Sequence, residues 1–272
     1  MSRFEFMRNI PIGQYLPVDS TLHRLDPRAR LLAVVLVVMA LTFAPGLWGL
    51  LLGLGAALVC LWLGRIPFKY ALRALLAPLP FLLILAVLQV LWNAGPDNPP
   101  VLWSWGRLVL TLHDLRFGVA LLLRFCGLIL FLGIMSYTTS TTQMTQGLNG
   151  LLKPLNALRI PVDDFVMMVQ ITLRFLPLLA LSAERIAKAQ AARGADWDSR
   201  PGSFFARIRQ IVPMLIPLFM TSLHRAENLA LAMDARAYGS GPRSSLAELK
   251  MQPRDWVCLV IAGLLAAGIL FL

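Results

Sequence analysis

The chain has 272 residues, of which 58% are hydrophobic and only 14% are charged. Soluble domains usually carry about 25% charged residues, so this composition excludes an ordinary soluble protein and indicates an integral membrane protein. The net charge of +11 is compatible with nucleic-acid binding, and equally with the excess of Lys and Arg that membrane proteins carry on their cytoplasmic side.

The chain begins with a polar lead-in, residues 1–30, which ends in the basic cluster Arg24, Arg28 and Arg30. Because no apolar core lies near its start, this segment is predicted to be a cytoplasmic lead-in and not a signal peptide. The apolar runs 31–43 and 47–63 follow and predict a helical hairpin that crosses the bilayer twice. A span needs roughly 20 residues, so the first helix must include flanking residues or cross only partly.

Three further apolar helices are predicted. The first covers 74–92, after a basic segment over 64–73, and Pro78 and Pro80 are expected to bend it near its start. A loop over 93–113 leads to a helix over about 115–137, and the last apolar run is 256–272. The predicted fold class is an all-α membrane protein with about five transmembrane helices and long amphipathic cytoplasmic helices. The predicted segments are 1–30, the transmembrane region 31–137, a cytoplasmic module 138–254 and the final transmembrane helix 255–272.

The basic residues indicate which side each segment faces. If the N-terminus is inside, every Lys and Arg lies in an inner segment except Arg107, Arg116 and Arg124. This asymmetry predicts a multi-pass protein of a bacterial cell (inner) membrane with a cytoplasmic N-terminus. It also explains the positive charge without nucleic acid as a partner. Tryptophans such as Trp62 and Trp256 fall at the predicted interfaces with the lipid bilayer.

Two apolar segments, 165–181 and 211–223, lie inside the basic block and admit two interpretations. As two further spans they would bury Arg174 at a cost of about 2.5 to 3.5 kcal/mol and place Arg185 and Arg200 outside. As amphipathic cytoplasmic helices they keep all of these charges inside. The charge asymmetry favours the amphipathic interpretation.

The first amphipathic helix is predicted to begin after Pro161, with Asp163 and Asp164 in its first turn, and to end at Gly194. About 30 residues would make it roughly 45 Å long. Its expected apolar face comprises Phe165, Met168, Val169, Thr172, Leu176, Leu179, Ala183 and Ile186. The opposite side is expected to carry Arg174, Arg185 and Lys188, with Glu184 and Lys188 as an i,i+4 pair.

The second amphipathic helix is predicted to begin near Ser203 and to stop before the Gly-rich residues 238–242. Both helices therefore end in an arginine between small residues, in Ala192-Arg193-Gly194 and in Ala235-Arg236-Ala237. Small neighbours let a helix end enter a narrow groove, where a guanidinium can make a forked contact with a carboxylate. An arginine at a helix C-terminus also favours the helix dipole without any partner.

The chain lacks the residues that catalysis or ion-coupled transport would need. No Asp or Glu falls inside a predicted span, and there is no GxxxxGK[ST] loop for ATP. The single cysteines, Cys60, Cys126 and Cys258, are expected to be buried and inert. We therefore predict no catalytic, cofactor-binding or metal-binding residues. Gln89 is expected to bond between helices, and Arg124 to pair with a carbonyl or a partner or to reach an interface.

Four stretches together resemble the transmembrane T component of energy-coupling-factor (ECF) transporters, the vitamin-uptake branch of ABC transporters. They are IGQYLPVDSTLHRLDPRARLL (12–32), YTTSTTQMTQGLNGLLKPLNALRIPVDDF (137–165), ITLRFLPLLALSAERIAKAQAARGADW (171–197) and PMLIPLFMTSLHRAENLALAMDARAYG (213–239). They cover about a third of the chain, in order.

The resemblance implies an L-shaped, non-enzymatic energy coupler that binds two ABC-type ATPase subunits and a substrate-binding S component. The ATPases would dock on Ala192, Arg193 and Gly194 at one helix end and on Ala235, Arg236 and Ala237 at the other. The second signature departs from the family, because Ala237 replaces the usual Gly, and a positive φ there would be strained. The alternatives are a dedicated T component for cobalt, nickel or biotin, and an unrelated membrane-embedded enzyme.

Overall fold

The computed structural model describes residues 16, 18–92, 101–105, 108–158, 161–194, 204–241 and 251–272. The predictions for Arg107, Arg200 and Ser203 lie outside the described residues. The described chain is helical apart from one short hairpin, and its apolar helices confirm an all-α membrane protein.

Nine α-helices are present among the described residues. Their bounds are α1 Pro27–Phe43, α2 Leu47–Leu63, α3 Phe68–Leu76, α4 Leu79–Trp92, α5 Leu112–Thr138, α6 Thr141–Leu152, α7 Val162–Ala192, α8 Phe204–Asp234 and α9 Pro253–Phe271. A 3-10 helix, Lys153–Leu158, follows α6. The strands β1 (Val101–Trp105) and β2 (Leu108–Thr111) form an antiparallel hairpin where the sequence predicted only a loop.

The helices belong to two compact units. The first unit spans residues 13–160 and 249–272 and contains α1 to α6 and α9, whereas the second spans 161–248 and contains α7 and α8. By length and composition, three helical segments in the described part of the chain suffice to cross a membrane, namely Leu115–Thr138, α7 and α9. The pair α3 and α4 makes a fourth candidate, and α2 is a shorter apolar helix.

The predicted proline bend is confirmed between α3 and α4. The two helices meet at an angle of 51°, and Pro78 lies in the break between them. A proline lacks the N–H that would continue the helical hydrogen bonds, so the axis breaks there. Helix α3 starts at Phe68 and so includes Lys69 and Arg73, which the sequence assigned to a segment before the helix.

Helix α1 is the centre of the first unit. It packs against α2, α5, α6 and α9, and Leu41 is completely buried within this core, as is Ile269 of α9. Close packing of α2 against α9 depends on glycine, because a Cβ at Gly46 or Gly49 would clash with the main chain of Leu272 or Ile269.

Arg30, which the sequence grouped with Arg24 and Arg28 in the basic cluster of the lead-in, lies at the centre of a buried polar network. Its side chain is 4% exposed. One guanidinium nitrogen donates to the carbonyl of Thr138 at 2.5 Å, and the other donates to the carbonyls of Leu25 at 2.7 Å and His23 at 3.1 Å. The network therefore joins the lead-in and α1 to the C-terminal end of α5.

Asp255 fixes the start of α9 in the same region. It is 2% exposed, and its two carboxylate oxygens accept from the backbone N–H groups of Asp26 at 2.8 Å and Gln252 at 2.7 Å. Helix α9 accordingly begins at Pro253, before the predicted residue 256. A buried charge is tolerated where hydrogen bonds satisfy it, a condition that both carboxylate oxygens of Asp255 and both terminal guanidinium nitrogens of Arg30 meet.

Candidate functional site

The candidate site is built on α7 and α8, which have 31 residues each. Asp163 and Asp164 lie in the first turn of α7, as predicted, where their charge complements the helix dipole. The predicted pair is also present, with the ammonium of Lys188 2.6 Å from a carboxylate oxygen of Glu184. Length and hydropathy do not distinguish α7 from the spans of the first unit.

The predicted apolar face of α7 is covered only in part. Ala183 is buried, together with Ala180 and Ala187, whereas Phe165 and Met168 are exposed. The three buried alanines recur at helical spacing, so the covered side of the C-terminal half of α7 is a strip of small residues, whereas Val162 and Val166 are buried near its start. Small residues permit close approach of a neighbouring backbone.

Two side-chain contacts show how α7 and α8 pack. Arg225 of α8 donates to the hydroxyl of Ser182 at 2.8 Å, and the Gln190 amide donates to the Pro213 carbonyl at 3.3 Å. Moving toward the C-terminus along α7 thus corresponds to moving toward the N-terminus along α8. The helices therefore run in opposite directions where they touch.

The Gln190 contact compensates for a missing backbone hydrogen bond. In an α-helix the carbonyl of residue 213 would accept from the N–H of residue 217. Pro217 has no N–H, so this carbonyl loses its intrahelical partner. The Gln190 amide supplies the replacement donor from the neighbouring helix.

Helix α7 ends in a left-handed turn at Gly194. The Arg193 N–H donates to the carbonyl of Gln190 at 3.1 Å, and the Gly194 N–H donates to that of Ala191 at 3.0 Å. Gly194 has φ +85°. Glycine adopts this conformation without a steric penalty, and it commonly ends a helix in this way.

Helix α8 ends in the same geometry even though its residue is an alanine. The Ala237 N–H donates to the carbonyl of Asp234 at 2.8 Å, and the Tyr238 N–H donates to that of Met233 at 3.0 Å. This pair of bonds is a Schellman motif. Ala237 has φ +54°, so the departure from Gly preserves the positive φ at the cost of strain on an L-residue.

Arg193 and Arg236 therefore occupy equivalent positions, each immediately before the left-handed residue that ends its helix. Both arginines are exposed, and neither forms an ion pair within the described ranges of the chain. Each lies about eleven residues beyond the Ser182–Arg225 contact, which corresponds to roughly 16 Å along its helix axis. Since the helices run oppositely there, the two arginines diverge from a shared crossing point.

The remaining polar residues singled out in the sequence lie in the first unit. Arg124 donates to the carbonyl of Ala44 at 2.7 Å. Of the predicted alternatives it therefore pairs with a carbonyl, at the C-terminal end of α1, where backbone carbonyls lack helical partners. Gln89 is exposed on α4 and makes no interhelical hydrogen bond to the described part of the chain, contrary to the prediction. The three cysteines are free and half-buried, less covered than predicted.

Sequence reasoning did not identify Ser182, Gln190 and Arg225 as contact residues. Periodicity places such residues on a face but does not indicate their partners on another helix. Only one signal was available, the proline at position 217, which predicts an unpaired carbonyl at Pro213 but not the side chain that binds it.

The fold and the two helix ends define a multi-pass helical membrane protein with a separate unit of two long helices, each of which ends beside an exposed arginine. Residues 19–246 match the family model described as cobalt transport protein, CbiQ. The chain is 35% identical to the energy-coupling factor transporter transmembrane protein EcfT of Clostridium kluyveri over 257 residues, 94% of each protein. It is 38% identical to the EcfT of Acidaminococcus fermentans over 240 residues, 86% of this chain and 85% of the relative.

The chain therefore belongs to the CbiQ/EcfT family and is the T component of an energy-coupling-factor transporter. It is a membrane subunit of a transporter complex and not an enzyme. A similar relative, the EcfT of Brevibacillus brevis, is 36% identical over 95% of this chain.

Proposed function

We propose that this T component binds two ABC-type ATPase subunits through the ends of α7 and α8, and transmits their movement to a membrane-embedded S component. The observation that carries the proposal is the equivalence of the two helix ends. Arg193 and Arg236 hold the same position before a residue with positive φ, and Ala192, Gly194, Ala235 and Ala237 keep each end narrow.

The chemistry of these ends suits a carboxylate-lined groove on an ATPase. A guanidinium presents a planar fork that binds a carboxylate through two hydrogen bonds. Both guanidinium groups are exposed, so docking breaks no internal ion pair of the described chain. Two ends that diverge by up to roughly 30 Å from one crossing fit two separate ATPase subunits better than one.

The side of the membrane follows from charge. We infer a bacterial cell membrane with the N-terminus, α7 and α8 associated with the cytoplasmic side. Although α7 is long and apolar enough to span, spanning would move exposed Arg185 and Lys188 to the outer side, against the asymmetry of the rest of the chain. The second unit is then the cytoplasmic coupling module that the sequence predicted over 138–254, whereas α6 belongs to the first unit.

The proposed mechanism is mechanical. ATP binding and hydrolysis change the separation of the two ATPases, the docked arginines carry α7 and α8 with them, and the S component reorients and releases its cargo inside. Pro177 in α7 and Pro213 and Pro217 in α8 are positions where these helices can bend. The Gln190 contact keeps the two helices registered at the crossing.

The proposed cargo is a vitamin delivered by an S component. The description of the matching family as cobalt transport protein favours a second candidate, a T component dedicated to cobalt, with nickel and biotin as related alternatives. Identification of the S component that co-purifies with the chain distinguishes these cargoes.

Docking is tested by reversing both charges, with Arg193→Glu and Arg236→Glu in one chain. A carboxylate facing a carboxylate is repulsive, so we expect the variant to insert in the membrane normally and to lose co-purification of the ATPase subunits. Arg174→Glu, an exposed charge on α7 away from both ends, is the matched control and retains the ATPases. Normal co-purification of the double variant would refute the docking role.

A further inference from the structure

A cleft in the first unit lies where the lead-in meets the end of α2. Its volume is about 480 Å³, and its lining includes Asp19, Thr21, Arg24, Trp62 and Arg65. Cavities of this size accommodate small ligands and lipid headgroups. The transport role described above uses none of these residues.

The cleft lies at the boundary between an apolar and a basic part of the chain. Helix α2 has no charged residue, and its exposed side chains include Val59 at 55% and Trp62 at 79%. The basic residues Arg65 and Lys69 follow the helix directly. Tryptophan beside basic residues is typical of the headgroup level of a membrane.

Arg65 has an unusual backbone conformation. Its N–H donates to the Trp62 carbonyl at 3.0 Å, and the Ile66 N–H donates to the Leu61 carbonyl at 3.1 Å, so α2 also ends in a Schellman motif. Arg65 takes the position with positive φ, at +49°, where glycine is favoured. A charged residue kept in a strained conformation indicates a role for its side chain.

Three charged side chains line the cleft. Arg24, Arg65 and Asp19 are exposed, and none of them forms an ion pair among the residues that the structure describes. Two guanidinium groups and one carboxylate leave a net positive site. A phosphodiester matches the guanidinium groups, and a hydroxyl-bearing headgroup offers donors to the Asp19 carboxylate.

We infer that this cleft binds the headgroup of an anionic phospholipid, with phosphatidylglycerol as the ligand of matching chemistry. The phosphodiester binds between Arg24 and Arg65, and the glycerol hydroxyls donate to Asp19. The acyl chains lie along the exposed apolar surface near Val59 and Trp62. This surface favours a lipid over free phosphate, which has no apolar part to bury.

The test measures lipid binding to the delipidated, full-length protein by native mass spectrometry. Dioleoyl phosphatidylglycerol is titrated against dioleoyl phosphatidylcholine, with inorganic phosphate as competitor. We expect phosphatidylglycerol to bind at least about tenfold more tightly than phosphatidylcholine, and phosphate at millimolar concentration not to displace it. The combined variant Arg24→Gln with Arg65→Gly is expected to weaken phosphatidylglycerol binding by roughly thirtyfold, the effect of two cationic contacts.

The variants separate binding from folding. Arg65→Gly relieves the positive φ, so it removes the charge without destabilising the end of α2. Arg174→Gln removes an exposed charge in the second unit and should leave binding unchanged. Equal binding of the two lipids, undiminished binding by the double variant, or displacement by inorganic phosphate would each overturn the lipid assignment.

Discussion

Each helix end has a residue with positive φ, glycine at 194 and alanine at 237, and one substitution at each position exchanges these two residue types. Ala237→Gly gives the end of α8 the residue that the end of α7 already has, and Gly194→Ala does the reverse. A Cβ at Gly194 would meet no atom of the described residues within 4 Å, so the reverse change tests the positive φ of +85°.

The size of the effect follows from the backbone. A left-handed conformation costs an L-residue about 1 to 2 kcal/mol. Glycine avoids this cost, but it also makes the unfolded chain more flexible, which lowers stability by about 0.4 to 1 kcal/mol. The net change is about 1 kcal/mol at each end, or about fivefold in the equilibrium for opening the helix end. Ala237→Gly should stabilise its end, and Gly194→Ala should destabilise the other.

Amide hydrogen exchange measures this opening directly. The N–H groups of Ala237 and Tyr238 close the turn of α8, and the N–H of Gly194 closes that of α7. We expect about fivefold slower exchange at Tyr238 in Ala237→Gly and about fivefold faster exchange at position 194 in Gly194→Ala. If docking requires the closed turn, ATPase affinity changes in the same directions. Unchanged exchange in both variants would refute the assignment of strain to Ala237.

Two further predictions concern hydrogen bonds from side chains to backbone carbonyls. Arg30→Met leaves the carbonyls of Thr138, Leu25 and His23 without their donor. A buried acceptor left unsatisfied costs about 1 to 3 kcal/mol, so we expect the free energy of unfolding to fall by about 3 to 5 kcal/mol and the melting temperature to fall with it. The same change at exposed Lys69, Lys69→Met, is expected to be neutral. Gln190→Leu removes the donor to the Pro213 carbonyl, so we expect it to lower the stability of α8 by about 1 kcal/mol in the wild-type chain. Pro217→Ala restores the backbone N–H that bonds this carbonyl, so in that background Gln190→Leu should have almost no effect on stability. Equal costs in both backgrounds, by hydrogen exchange of α8, would exclude this coupling.

Sequence patterns predicted the apolar helices because burial in lipid requires long apolar runs, and the proline break between α3 and α4 because proline lacks an N–H. They also located both helix ends, since glycine is the residue that most commonly ends a helix, at Gly194 and among the Gly-rich residues after Ala237. These features depend on local chemistry alone.

The features that the sequence did not predict depend on partners distant in the chain. Arg30 belongs to the basic cluster with Arg24 and Arg28 in the sequence, yet it is buried and donates to the carbonyl of Thr138 in α5, more than a hundred residues away. Asp255 similarly accepts from the backbone of Asp26. Counting charges does not reveal which charged side chains are buried and hydrogen-bonded in the fold. Length and composition likewise do not distinguish α7 from a membrane-spanning helix.

The central claim is that the two arginine-bearing helix ends contact two ATPase subunits, and site-specific cross-linking in the assembled transporter tests it most directly. A photoreactive residue replaces Ala192 or Ala235 in separate chains, with Met168, exposed near the other end of α7, as the control position. Cross-links to an ATPase subunit from 192 and from 235, but not from 168, are predicted. Cross-links from 192 and 235 only to other membrane subunits would contradict the claim.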